Sequence, residues 1–287
     1  MHDTLVISGG SIKGFGLLGA IQKIYEYYES KEEKIKTFNC FVGTSVGSII
    51  GYLLAIGYEP LEIIHSIHSS AVLEKLRRIE LIQIMNNKGL FFFEPIIEEL
   101  ENLTLKKRNK LYTLQELSDD LGKEFICVTF NYTKNKVEYL NRNDYPNLPC
   151  LVAVRMSSSI PFVFNRFTWG DSIYIDGGIS DNFPIQVARR FGKENLIGVV
   201  CKETGEDTSN DNNSLINFIM VMLFFPIVNN TQRTIKKYRK RYPIIQVPLN
   251  YNFLKFSLSV TDIMEMFSSG YNSITHEQMS IILNREN

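Results

Sequence analysis

Residues 38–56 read FNCFVGTSVGSIIGYLLAI: an apolar run, a short turn with two glycines, and a second apolar run. The first run, Phe38 to Val42, predicts a buried strand, and Ser48 to Ile56 predicts an apolar helix. Between them, Gly43-Thr44-Ser45-Val46-Gly47 predicts a tight turn. The sequence therefore predicts a strand, a glycine turn and a helix in immediate succession.

The same pattern stands earlier in the chain. Leu5 to Ser8 predicts a strand, Gly9-Gly10 a turn, and the apolar spacing from Phe15 to Tyr28 a helix. Two such units in succession favour a parallel sheet covered by helices. Further strands are predicted at 125–130, 137–140, 174–176, 196–201 and 244–247, and further helices at 60–70, at 73–87 and, from the capping-box spacing of Thr113 and Glu116, at 114–121.

The composition is that of an ordinary globular protein. Of the 287 residues, 44% are hydrophobic and 22% are charged, and 31 basic side chains balance 31 acidic ones. A chain of this length can bury one large core. Its zero formal net charge gives no global field of the kind that marks a nucleic-acid-binding protein. We expect a single domain over 1–287, with a core at about 5–200 and a helical C-terminal extension at about 214–287.

The cysteines and the apolar segments bear on where the protein resides. Four widely spaced cysteines have apolar neighbours and no CxxC pattern, which predicts buried, reduced thiols: Cys40, Cys127, Cys150 and Cys201. The N-terminal residues lack the pattern of a secretory signal, so a cytoplasmic location is expected. The run from Leu215 to Val228 has 14 residues, short of the roughly 20 that a membrane-spanning helix needs.

Ser45 is the first candidate catalytic residue. It lies at the centre of a Gly-x-Ser-x-Gly motif between a predicted strand and a predicted helix, the context in which this motif marks a nucleophilic serine. Side chains two positions before and two positions after Ser45 would collide in such a sharp turn. This explains why positions 43 and 47 are glycine. The following helix N-terminus offers N–H groups to a developing oxyanion. The motif also occurs by chance in many proteins, so further elements are needed.

A second glycine turn, Gly9-Gly10-Ser11-Ile12-Lys13-Gly14, joins the first strand to the first helix. Such a turn exposes backbone N–H groups to an anion. It matches neither the phosphate-loop nor the dinucleotide-binding pattern. A plain connection and a nucleotide site remain alternatives. Two turns of this kind in one sheet would direct their N–H groups toward a shared point, as an acyl-transfer site requires.

The third element is Asp176, followed by Gly177 and Gly178 at the end of a predicted strand. A carboxylate there could approach a serine hydroxyl and take its proton. A simple turn is the alternative. His276 is the only histidine after this aspartate, and it lies in a polar helical context without glycines, which favours a pair of catalytic residues over a serine–histidine–acid triad. No calcium-binding loop pattern is present, so a site without metal is expected.

Together these elements resemble the patatin-like phospholipases. The first glycine turn is similar to the oxyanion loop of that family, the turn at Ser45 to its nucleophile elbow, and Asp176-Gly177 to its catalytic dipeptide. The block from Ser157 to Phe164, with Asn182 and Pro184 downstream, extends the similarity over about residues 5–200. The motif glycines are Gly9, Gly14, Gly43, Gly47 and Gly177.

The resemblance implies an α/β fold, a three-layer sandwich with a central, mostly parallel sheet. It also implies a lipid acyl hydrolase of the phospholipase A type that uses no cofactor and acts on phospholipid or another acyl lipid. By the same resemblance, Asp176 activates Ser45, and the backbone N–H groups of Gly10, Ser11 and Val46 bind the oxyanion.

Ser11 and Lys13 are two residues of the first turn whose side chains bear on its function. Ser11 stands where the family has glycine, so a serine must adopt the required φ. Reduced activity is therefore expected, and an inactive lipid-binding or regulatory protein on the same fold is the alternative function. Lys13 occupies the family's basic position and is a candidate contact for a headgroup phosphate, with a purely structural or solvated lysine as the alternative.

Two apolar segments could contact a membrane. They are Leu90 to Phe93 and Leu215 to Val228, and the second is followed by a basic run at 236–241. Apolar and basic patches of this kind bind anionic bilayers. The phenylalanines could instead line an acyl pocket or lie in the core, and the basic run could be a solvated helix end.

Overall fold

The computed structural model describes residues 2–30, 38–69, 92–203, 215–249, 258–275 and 279–280. Within them, eight strands form one sheet. The strands are β1 (Thr4–Ile7), β2 (Cys40–Thr44), β3 (Glu124–Asn131), β4 (Lys136–Leu140), β5 (Phe167–Trp169), β6 (Ser172–Asp176), β7 (Leu196–Glu203) and β8 (Ile244–Leu249). The neighbours β8, β7, β1, β2 and β3 run parallel, whereas β4 and β6 pair antiparallel with β3, and β5 with β6.

Helices cover both faces of this sheet. They are α1 (Gly14–Glu29), α2 (Val46–Ala55), α3 (Pro60–Ser69), α4 (Glu94–Arg108), α5 (Leu114–Leu121), α6 (Cys150–Ser157), α7 (Gly178–Asp181), α8 (Ile185–Arg190), α9 (Leu215–Tyr238) and α10 (Val260–Asn272), with a 3-10 turn at Ser11–Lys13. The predicted capping box of Thr113 and Glu116 is present at the start of α5. The helix predicted at 73–87 and the residues 204–214 lie outside the described residues.

The alternation of side chains along β1 divides the core into two layers. Leu5 and Ile7 point into the cluster formed with α1 and α2, whereas Val6 points into a second cluster that contains Ile185 of α8 and Ile235 of α9. Successive residues of a strand face opposite sides of a sheet, so a sheet buried on both faces is apolar throughout. The predicted three-layer α/β sandwich with a mostly parallel sheet is confirmed.

The C-terminal region joins this architecture through a strand and a helix. β8 pairs with the edge of β7, and α10 packs against α1, where Gly19 and Gly270 allow close approach of the two backbones. All four cysteines are free and buried, as predicted. No single helix in the described parts of the chain has the length and hydropathy of a membrane span; α2 and α3 reach them only as a pair bent by 114°.

Candidate active site

Ser45 lies in a strained turn between β2 and α2. Its backbone has φ 55° and ψ −126°, in the region that side chains rarely adopt. A Cβ atom at Gly43 would strike the carbonyl of Gly47, and one at Gly47 would lie 2.6 Å from the carbonyl oxygen of Ser8. The close approach of two backbone segments therefore accounts for both glycines of the motif.

The register of β3 brings Ser45 and Asp176 together. Val128 pairs with Thr44, the neighbouring residue Thr129 pairs with Asp176, and both residues of β3 also pair with β4. A strand residue has only two flanks, so β2 and β6 must both lie on the flank opposite β4. The two strands meet end to end there. Ser45 directly follows the last residue of β2, and Asp176 is the last residue of β6.

The end of α6 holds the backbone on both sides of this junction. The Ser157 hydroxyl accepts a hydrogen bond from the Ser45 N–H at 3.0 Å, and the Ser157 carbonyl accepts one from Gly177 N–H at 3.3 Å. The Ser159 carbonyl accepts a third from the Asp176 N–H at 2.9 Å. The position of Ser45 relative to Asp176 is thus fixed by one short segment.

A buried arginine supports that segment. The Arg155 guanidinium donates to the Ser159 hydroxyl at 3.0 Å and to both the carbonyl and the side chain of Asn165. It stacks on Phe93 at 4.3 Å and Phe167 at 5.1 Å from the ring centroids. Burial lowers the pKa of Arg155 to about 10, which leaves it charged at neutral pH. Sequence reasoning did not identify this support.

The Asp176 carboxylate has the properties of a general base. One oxygen, Oδ1, accepts a hydrogen bond from the Gly178 N–H at 2.7 Å, while Oδ2 is buried without a hydrogen-bond partner among the described residues. Burial raises the pKa of Asp176 to about 6, although the nearby Ser45 hydroxyl and the Gly178 N–H favour the charged form. Above pH 6 the carboxylate is therefore mostly charged and can accept a proton through Oδ2.

The first glycine turn borders the same pocket. Gly10 and Ser11 line it together with Ser45 and Asp176. Ser11 has φ 51°, so serine does adopt the left-handed conformation that glycine favours at this place in the family. The Gly9 N–H is hydrogen-bonded to the Asn182 carbonyl at 3.0 Å. The two predicted turns thus meet at one pocket.

Helix α9 forms the other side of this pocket. Its lining residues are Leu223, Phe224 and Ile227. Two polar contacts fix α9 to the segment after Asp176: Asn230 donates to the Ser180 carbonyl at 3.1 Å, and Asn182 donates to the Thr231 hydroxyl at 3.3 Å. Part of the apolar run at 215–228 therefore forms a wall of this pocket.

The remaining motif residues lie beside the pocket. Val46 begins α2, and a Cβ atom at Gly14 would collide with its side chain, so Gly14 allows α1 to approach α2. Gly177 follows Asp176 and has no room for a side chain against the carbonyl of Val128. Lys13 is only 3% exposed, and its contact with a headgroup stays a prediction.

Histidines and metal ligands do not contribute to the described pocket. His2 is hydrogen-bonded to Tyr28 at 2.9 Å, and His276 lies outside the described residues. Among the residues with described side chains, no histidine lines the pocket that contains Ser45. Nor does the described part of the chain bring together three or more His, Cys, Asp or Glu residues that could hold a metal ion.

Comparison with known proteins assigns the family. A model of the family "Patatin-like phospholipase" matches residues 5–189. The chain is 34% identical over 193 residues to "Probable lipid hydrolase 463L" of Invertebrate iridescent virus 6, covering 66% of this chain and 64% of that protein. It is 25% identical over 291 residues to "Uncharacterized protein R571" of Acanthamoeba polyphaga mimivirus, a match that covers 97% of this chain and 94% of that protein. The chain thus matches slightly less than two thirds of the length of the first of these relatives.

Among solved structures, VipD from Legionella pneumophila is similar to this chain with a TM-score of 0.51 and 16% identity, over 97% of this chain and 66% of that one. At such low identity the likeness concerns the fold alone. The match to the family model is stronger evidence, because it covers well over half of the chain and includes the two glycine turns and Asp176. By this match the chain belongs to the patatin-like phospholipase family.

Proposed function

We propose that the protein hydrolyses fatty acyl esters of phospholipids or related lipids, with Ser45 as nucleophile and Asp176 as base. The observation that carries this proposal is the register of β3, which sets the serine beside a buried carboxylate. The Oδ2 atom of that carboxylate has no hydrogen-bond partner in the described part of the chain. Family membership and the name of the viral relative support lipid as the substrate class.

The proposed reaction has two stages, formation of an acyl-enzyme and its hydrolysis. Asp176 takes the proton of the Ser45 hydroxyl as Oγ attacks the ester carbonyl carbon, and the N–H groups of Gly10, Ser11 and Val46 stabilise the oxyanion. The ester C–O bond then breaks, the leaving alcohol takes the proton from Asp176, and the acyl group remains on Ser45. Water attacks this acyl-enzyme and gives a proton to Asp176, which returns it to Ser45 as the fatty acid leaves.

A fluorophosphonate probe and a short-chain ester test this assignment. Ser45→Ala should abolish labelling and lower turnover by roughly 10⁴-fold or more, the scale seen when a catalytic triad is disturbed. Asp176→Asn should approach the same loss, because the amide cannot take the proton. The exposed Asp171 provides a matched control, Asp171→Asn, which should keep wild-type activity.

The alternatives give different results. A folded wild-type protein that is neither labelled nor active would favour an inactive lipid-binding protein on the same fold. His276→Ala should retain most activity, and a loss of a hundredfold or more in a folded variant would replace the dyad with a triad. Full turnover by Ser45→Ala would reject the nucleophile.

We also propose that α9 docks the protein on anionic bilayers as a peripheral contact. Its outward face carries an apolar stripe at helical spacing, each member more than half exposed: Phe218, Val221, Met222 and Phe225. The opposite face lines the pocket of Ser45. Lys236 and Lys237 are exposed at the end of the helix. A helix that is apolar on two faces and basic at one end fits the boundary between headgroups and acyl chains.

A further inference from the structure

A second cavity lies on the other side of the first glycine turn. It has a volume of about 170 Å³ and lies between the start of α1 and the helices α2, α3 and α4. Its lining is almost wholly apolar, and Glu99 carries the one charged group among the lining residues that the structure describes. Isoleucines and leucines from all four helices make up most of its walls. Such a cavity excludes polar ligands and suits a hydrocarbon chain.

Helix α2 shows which way the cavity runs. Val46, Ile49, Ile50 and Leu53 all line it, and their spacing places them along one face of the helix. Val46 directly follows Ser45, and Leu53 lies seven residues further, about 10 Å along the axis at 1.5 Å per residue. The cavity therefore begins at the turn of the nucleophile and extends away from it.

Ser11 connects this cavity to the active site. It lines both the pocket that contains Ser45 and the apolar cavity. Its N–H is also one of the proposed oxyanion donors. An ester carbonyl held against that N–H would lie beside the residue that both cavities share, with one of its two substituents directed toward the apolar cavity.

We infer that this cavity binds the acyl chain of the substrate and that Leu53 limits the length of the chain. The inference rests on the proposed function of Ser45. An apolar cavity of roughly 150 Å³ stays dry and accommodates the six carbons of a benzene molecule, so about 170 Å³ has room for a hydrocarbon segment of about seven carbons beyond the reacting carbonyl. The expected preference is for medium-length acyl chains.

The chain-length profile provides the test. Each methylene that enters the cavity should raise kcat/KM about fourfold, by the transfer free energy of a buried methylene. For p-nitrophenyl esters, kcat/KM should rise from butanoyl to octanoyl and then level off. In Leu53→Phe, which fills the far end, the octanoyl-to-butanoyl ratio of kcat/KM should fall at least tenfold. In Leu53→Ala, which lengthens the cavity, the levelling-off should move to decanoyl or longer.

A matched control separates this effect from general damage to the core. Leu151 is also a buried leucine, and it lines a different cavity that contains neither Ser11 nor Ser45. Leu151→Phe should leave the chain-length ratio unchanged. Ser11→Gly removes a side chain from the junction and should raise the octanoyl-to-butanoyl ratio, whereas a structural defect at this turn would lower both rates together.

Binding without turnover distinguishes failure of the inference from failure of the proposed function. Octanoate should bind saturably to Ser45→Ala, measured by calorimetry, and the added Leu53→Phe should weaken this binding at least tenfold. An unchanged profile and unchanged octanoate binding in both Leu53 variants would overturn the inference, while Ser45-dependent hydrolysis of short esters would still support the function. Binding that depends on Leu53 in a protein without esterase activity would support the cavity and reject the function.

Discussion

The turn at Ser45 and helix α9 line the same pocket but differ in how tightly they are packed. At the turn, Gly43 and Gly47 have no space for a side chain, whereas Phe218 and Phe225 on the outer face of α9 are 61% and 67% exposed. The residues of the turn are determined by their immediate neighbours. The outer residues of α9 have no such packing requirement within the described fold, and they form the surface that we propose contacts lipid.

The largest expected effect concerns the packed side of this comparison. In Gly47→Ala the new Cβ atom would lie within 2.6 Å of the Ser8 carbonyl oxygen, and the hydrogen bond from the Ser8 N–H to the Val199 carbonyl at 3.0 Å holds that segment in place. We expect the free energy of unfolding in urea to fall by about 3 kcal/mol or more.

Gly51→Ala is the matched control for this loss. It lies in the same helix, and its Cβ atom would make an ordinary contact with Phe41 at 3.4 Å. Because alanine also favours the helix, its stability should stay within about 1 kcal/mol of the wild type. Equal stabilities of the two variants would contradict the packing argument.

The next prediction concerns pH. Because burial raises the pKa of Asp176 to about 6, kcat/KM should be constant above that pH and fall about tenfold per unit below it. Burial raises the pKa of Asp181 to about 6 as well, so the profile alone does not identify the residue. Asp181→Asn should keep the profile of the wild type. If Asp181→Asn removed the fall in kcat/KM below pH 6, the group that titrates there would be Asp181.

The same pKa has a consequence for stability. A carboxyl group whose pKa is higher in the folded state stabilises the fold at low pH, and this contribution is lost as the pH rises through about 6. A shift of about two units corresponds to about 3 kcal/mol at most. Asp176→Asn should therefore be more stable than the wild type in urea at pH 8 and nearly equal to it at pH 4. A constant difference across pH would contradict the linkage.

The smallest expected effect concerns the exposed side of the comparison. Replacement of both Phe218 and Phe225 by serine should weaken binding to vesicles that contain phosphatidylserine, by about tenfold or more in a flotation assay. Charge reversal of Lys236, Lys237 and Arg239 should weaken it further at low salt, by about 1 kcal/mol per charge.

Leu61 on α3 is also half exposed and provides the control. Leu61→Ser should bind vesicles like the wild type. Equal binding by all of these variants would reject α9 as the docking element.

The sequence predicted the elements whose pattern is local. Both strand–turn–helix units lie within two residues of their predicted bounds because glycine turns interrupt long apolar runs. Helix α6 was not predicted, because it is buried on nearly all sides and shows no amphipathic period. Helix α10 lies within the helical extension expected at about 214–287, but its bounds were not predicted, although Ser259 and Asp262 form a capping box at its start that the sequence already contained.

The site was predictable as a set of motifs but not as an arrangement. Nothing local in the sequence shows that Thr44 and Asp176 pair with neighbouring residues of β3, because register between distant strands depends on the whole sheet. The support from Arg155 to Ser159 was missed for the same reason, whereas a role in an acyl pocket was among the alternatives left open for the apolar residues of α9. Ser11 was expected to need an unusual φ, and the structure has it at 51°.

The end-to-end meeting of β2 and β6 has a consequence for how this chain can change over time. The distance between Ser45 and Asp176 is set by two adjacent pairings on one strand. It does not depend on the length of the chain that connects the two residues. Insertions and replacements in those connections leave the spacing intact while β3 keeps both partners and α6 keeps its contacts. Surface segments that meet substrate can thus diverge freely, in line with a shared fold at 16% identity to VipD.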